Sequence, residues 1–146
     1  MRRRTHAREL ALMVLYQTDI TKTPIEESLQ IFWEEHKVPA EVKEFATSLT
    51  VGTTESLKRI DDVITRYADN WELSRMAAVD RNILRLATYE LLFLEEIPPK
   101  VTLNEAIDLA KKYGDQESGR FVNGILDHIS KMEGLPEKAK LHAPKR

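Results

Sequence analysis

The sequence predicts an all-α fold of about seven helices. Apolar residues recur at i, i+3, i+4 spacing through nearly every segment, prolines and glycines fall between those segments, and no run alternates with the period of a strand. At 146 residues the chain is the size of one domain, long enough to bury a core without disulfides.

The elements follow in order. Ala7, Leu10, Ala11, Val14 and Leu15 share one helical face. Thr23-Pro24-Ile25-Glu26 predicts a helix start: Thr23 as cap, Pro24 in the first helical position, Glu26 closing a capping box. An amphipathic helix through Leu29, Ile31, Phe32 and Trp33 follows. Pro39 separates it from a third helix carrying Val42, Phe45, Ala46 and Leu49, which Gly52 should end or bend. Leu57, Ile60, Val63, Ile64, Tyr67 and Trp71 form the next stripe. Residues 75–94 are apolar around most of the circumference, which predicts a helix at the centre of the fold. Glu90 falls inside that apolar surface, so its carboxylate should be held by an arginine or by backbone N–H groups. Pro98-Pro99 stops the helix, and Thr102-Leu103-Asn104-Glu105 reads as a second capping box. Gly114 should close the next helix after Lys111 and Lys112. The last helix buries Val122, Ile125, Leu126 and Ile129, with Gly124 marking close helix packing. The chain is one domain, residues 1–146. A break near Trp71 to Ser74 divides it into helical groups of about 1–72 and 75–133, and a basic tail, 134–146, should fray.

Charge is unevenly distributed. Residues 1–9 carry Arg2, Arg3, Arg4 and Arg8 against Glu9. Residues 21–56 carry three lysines against seven glutamates, and residues 131–146 five basic against two acidic side chains. Basic ends suit an anionic partner, although charge runs are commonly no more than solvated surface. No cysteine is present, which excludes disulfides, thiolate metal sites and a cysteine nucleophile and fits a reducing cytoplasm. No apolar run reaches membrane-spanning length, and the charged start is no secretory signal, so no membrane partner is expected.

Catalytic patterns are poor. His6, His36, His128 and His142 are too scattered for a zinc site. Gly114, Gly119 and Gly124 form no phosphate loop. Asp61 and Asp62 point about 100° apart on a helix and cannot share a site. No enzyme, metal or cofactor is expected. The RNA signal is better. Four arginines in eight residues concentrate charge in a group that forks onto phosphates and stacks on bases. Arg8, Leu12 and Tyr16 lie at i, i+4, i+8, setting a cation and an aromatic along one edge. By spacing alone Tyr67 and Phe121 read as core.

Ala7-Arg8-Glu9 with Leu15-Tyr16 resembles the opening of the NusB transcription antitermination family. So do the block from Val79-Asp80-Arg81-Asn82 to Thr88-Tyr89-Glu90-Leu91, the run Pro99-Lys100-Val101-Thr102 with Asn104-Glu105-Ala106, and Phe121-Val122-Asn123-Gly124. The pieces stand in the family's order across the chain. The resemblance implies two packed, roughly perpendicular three-helix groups and a non-enzymatic, cytoplasmic factor. With NusE, a ribosomal small-subunit protein, such a factor binds boxA, a short single-stranded RNA, and joins an RNA polymerase antitermination complex, notably on ribosomal RNA operons. Carried over by residue, it implies RNA contacts by Arg2, Arg3, Arg4, His6, Arg8, Tyr16, Tyr67, Glu117, Arg120 and Phe121, and NusE contacts by Asp80, Arg81 and Leu84. Thr5 and His6 interrupt the family's usual passage from arginine cluster to Ala-Arg-Glu, so His6 stands where an arginine would.

Two other readings compete. A pure protein–protein adaptor for a ribosomal protein would leave all RNA contact to its partner. An RNA-modifying enzyme would need a catalytic domain such as the methyltransferase to which NusB-like domains are sometimes fused, and the chain stops soon after its last predicted helix.

Overall fold

A computed structural model describes residues 2–133 of the protein. The expected basic tail lies outside the described residues. Among the described residues there are seven α-helices: α1 (Arg3–Thr21), α2 (Ile25–Glu35), α3 (Ala40–Glu55), α4 (Leu57–Tyr67), α5 (Ala78–Phe93), α6 (Pro99–Tyr113) and α7 (Ser118–Met132). No strand occurs among the described residues.

The central position expected for the all-round apolar segment is observed. α5 packs against α1, α3, α4, α6 and α7, with Ile83, Leu84 and Leu91 fully buried. α1 lies on α3, α6 on α7, and α2 on both α1 and α3. The chain does break at residues 71–75, as a short 3-10 turn over Leu73–Arg75, but packing partners change one helix earlier. α4 packs mainly against α5 and α7, because Ile60, Val63 and Ile64 all face that side.

Several local expectations fail for physical reasons. Thr23 does not cap α2. Pro24 occupies the N-cap, Ile25 is the first helical residue, and the Thr23 hydroxyl pairs with Thr21 instead. The second capping box is absent too. Pro99, not Leu103, opens α6, so Thr102 and Glu105 sit inside the helix, where both bind buried partners. Gly52 does not end α3, which runs on to Glu55. A Cβ there would come within 2.2 Å of the Tyr89 ring, so this glycine lets α3 and α5 approach. Gly124, expected at a close helix contact, is exposed, with nothing within 4 Å of its would-be Cβ. Ile31 and Trp71 leave their apolar stripes for the surface.

Candidate RNA and partner interface

The N-terminal arginines do not act as one group. α1 starts at Arg3, so Arg4 and Arg8 lie one turn apart on a continuous helix. Arg2, Arg3 and Arg4 are exposed, His6 is half-buried, and Arg8 is buried. The Arg8 guanidinium forks onto Glu90, with Nε and Nη2 each 2.8 Å from a carboxylate oxygen, and Nη1 donates to Glu105 at 3.0 Å. The Thr102 hydroxyl donates to Glu90, and the Thr5 hydroxyl to Glu105. Burial alone would lower the Arg8 pKa; hydrogen bonding and charge from Glu90, then Glu105, outweigh it and hold the group further into its charged range. Glu90 thus has its expected arginine, and Arg8 is withdrawn from the RNA-facing set: it is buried, with three of its N–H groups bound to carboxylates inside the protein. Thr5, part of the interruption in the arginine cluster, ties the same end of α1 to α6.

Three arginines at a helix start oppose the helix dipole, and no acidic residue stands in that first turn to compensate. Neighbours on α3 do so instead. Arg3 pairs with Glu41 at 3.2 Å, and Arg4 lies over the Phe45 ring.

A second cluster runs along α7. Phe121 and His128 are seven residues apart and so share a face. Trp71 meets Phe121 edge-on with centroids 5.4 Å apart, and Tyr67 meets His128 at 5.0 Å. Tyr67 and Phe121 are half-buried, while Trp71 is 52% exposed. Gly124 lies between the two aromatic pairs on the same side of the helix and leaves the backbone open there. The Tyr67 hydroxyl donates a hydrogen bond to Glu133, which also accepts from Arg66 at 2.7 Å. That bond, foremost, raises the Tyr67 pKa and lowers that of Glu133. Glu117 and Arg120 are exposed at the start of α7. Arg120 and Lys111 line a shallow cleft of about 420 Å³ between α6 and α7 with Gln116 and Asn123. The arginine arm rests on α3 and α6, whereas Tyr67 and Phe121 belong to the α4–α7 edge, with α6 touching both regions.

Tyr16 belongs to neither. On its edge Arg8 and Leu12 are buried and the row opens to solvent only at Tyr16. There it lines an apolar cleft of about 300 Å³ with Leu12, Met13, Gln17, Val79 and Tyr113, beside the start of α5.

The expected partner-facing set divides as well. Leu84 is fully buried and cannot meet a partner. Arg81 is held internally: Nε and Nη2 bind Asp19 at 2.9 and 2.7 Å, and Nη1 donates to the carbonyls of Leu73 and Met76. It fastens the 3-10 turn to α1 and α5. Asp80 is nearly buried at the start of α5. Its Oδ1 is buried without a hydrogen-bond partner, and burial raises its pKa despite the Ser118 hydroxyl. The pattern missed Phe45, Trp71 and His128. Spacing placed Phe45 and Trp71 in core stripes, and His128 carried no signal apart from lying one helical repeat of seven beyond Phe121. Among the described residues no acidic, histidine or cysteine cluster could hold a metal ion.

Comparison with known proteins agrees with the resemblance. The NusB family model matches residues 5–131. The transcription antitermination protein NusB of Anaeromyxobacter dehalogenans is 47% identical over 135 residues, covering 92% of this chain and 93% of the relative. The NusB of T. maritima superposes with a TM-score of 0.87 at 43% identity, covering 94% of this chain and 96% of that one. A chain in a crystal structure of the antitermination factors NusB and NusE with double-stranded RNA superposes with a TM-score of 0.82 at 34% identity, covering 90% and 98%.

Proposed function

The chain belongs to the NusB family, and from that premise we propose that it is a non-enzymatic, RNA-binding transcription antitermination factor acting with NusE in the cytoplasm. Its RNA would be a single-stranded, boxA-like element of nascent ribosomal RNA, and the complex would join the transcribing polymerase. The observation that carries this reading is the pairing of Trp71 with Phe121 and of Tyr67 with His128 along one edge of α7. Exposed aromatic surface near basic groups is what single-strand recognition uses. Arg120 stands beside it, and the exposed Arg2, Arg3 and Arg4 supply phosphate contacts from the α1 end. Arg8 acts as their internal anchor. No described helix is long and apolar enough to cross a membrane.

NusE would dock beside Asp80. The exposed apolar side chains of Met13, Tyr16 and Tyr113 adjoin Val79 there. A basic group from the partner would complete the Asp80 carboxylate.

The test is RNA affinity for boxA-like and scrambled strands across a salt series, with and without NusE. Three to four phosphate contacts predict a slope of about −2 to −3 in log affinity against log salt. Trp71→Ala should weaken binding by roughly 1–3 kcal/mol if a base stacks there. Equal affinity for both strands, or no salt dependence, would overturn the reading.

A further inference from the structure

We propose that Phe45 is a positioning residue for RNA binding, holding the Arg4 guanidinium ready for the strand. Arg4 Cζ stands 4.3 Å from the Phe45 ring centroid, and Arg4 makes no ion pair among the described residues. Its charge is therefore available while its side chain is held. Arg3 differs, being partly neutralised by Glu41 at 3.2 Å. The ring is itself fixed. Phe45 is half-buried against the core, and Arg8, locked by Glu90 and Glu105, lies 5.6 Å from its centroid. Order thus passes from a buried ion pair through an aromatic ring to an exposed cation. An arginine held in place before binding loses less rotamer freedom when it grips a phosphate or base edge. Arg4 and Phe45 also line one open cleft of about 390 Å³, together with Arg3, Glu41, Glu44 and Ser48.

The inference rests on the RNA-binding reading above, and one experiment separates the two. Full-length protein with NusE is titrated with a single-stranded boxA-like oligoribonucleotide. Phe45→Leu, which keeps an apolar group on the core, should lower RNA affinity about two- to fivefold, the range for a surface cation–π contact. Phe45→Trp should restore it, and NusE affinity should not change in either. In an Arg4→Ala background, Phe45→Leu should have no further effect. Unchanged RNA affinity in Phe45→Leu, or an equal loss without Arg4, overturns the role of Phe45. Failure of the wild type to bind RNA overturns the functional reading first. A second measurement does not depend on the variants. The Arg4 side-chain proton resonances should be shifted upfield by the ring in the free protein and move on RNA addition. An unshifted Arg4 signal refutes the proposal.

Discussion

Replacing Arg8 by Met removes three charge-assisted hydrogen bonds, two at 2.8 Å to Glu90 and one at 3.0 Å to Glu105. The Arg8 and Glu90 side chains are only 4% and 2% exposed, so water cannot take over those bonds. Methionine fills part of the space but leaves the Glu90 carboxylate deprived of its guanidinium in the interior. Breaking one side of such a pair costs about 3–5 kcal/mol. At roughly 3 °C per kcal/mol for a protein of this size, the melting temperature should fall by roughly 9–15 °C. Urea unfolding of Arg8→Met, Glu90→Leu and the double variant measures it. The double variant should recover part of the single loss, because two apolar side chains of similar volume replace the Arg8–Glu90 pair and only Glu105, still held by the Thr5 hydroxyl, is left without its guanidinium. If Arg8→Met costs less than about 1 kcal/mol, or the double variant falls as far as the two singles summed, Arg8 is not the clamp described. NusE binding by the folded fraction should persist, which separates lost stability from a lost interface.

Further expectations concern the glycines and the titratable groups. Gly52→Ala should destabilise by about 1–3 kcal/mol, offset by up to about 1 kcal/mol of helix propensity, because its methyl would overlap the Tyr89 ring; Tyr89→Leu in the same chain should relieve it. Gly124→Ala, in open space, should instead stabilise by about 0.8–1 kcal/mol, and thermal melts compare the two. Asp80 has a folded-state pKa raised chiefly by burial, so its contribution favours folding below the unfolded value and is lost as pH rises through the folded one. Asp80→Asn should therefore leave stability at neutral pH unchanged or higher while weakening NusE binding about tenfold or more, as titration calorimetry would show. A clear loss of stability in that variant would contradict the burial of Asp80 and the unpaired Oδ1. Glu133 has a pKa lowered by its bonds from Tyr67, then Arg66, so its contribution is present above the unfolded carboxylate value and lost as pH falls through the folded one. NMR should show the Tyr67 and His128 rings shifting together in that acidic range, and Glu133→Gln should abolish the transition.

Much of this protein was already decided along the chain. Helical periodicity, the proline and glycine breaks and the all-round apolar stretch at residues 75–94 determine seven helices with α5 inside, because those signals concern burial of one residue against its near neighbours. The chemistry of a buried carboxylate was legible in the same way: Glu90 required a cation. Which cation was not, since Arg8 is 82 residues away and reads, locally, like the other arginines. Tertiary packing turned Arg8 inward and left Arg2, Arg3 and Arg4 outside. It converted the Thr102–Glu105 cap into part of that same network and carried Leu84 out of any partner's reach. Gly52 and Gly124 look alike in sequence, but one lies under a tyrosine ring and the other in solvent. The likeness of local patterns and the difference of their surroundings have one physical cause. Hydrogen-bond partners and contacts for these groups come from helices distant in sequence, and only the packing of α1, α5, α6 and α7 brings them together.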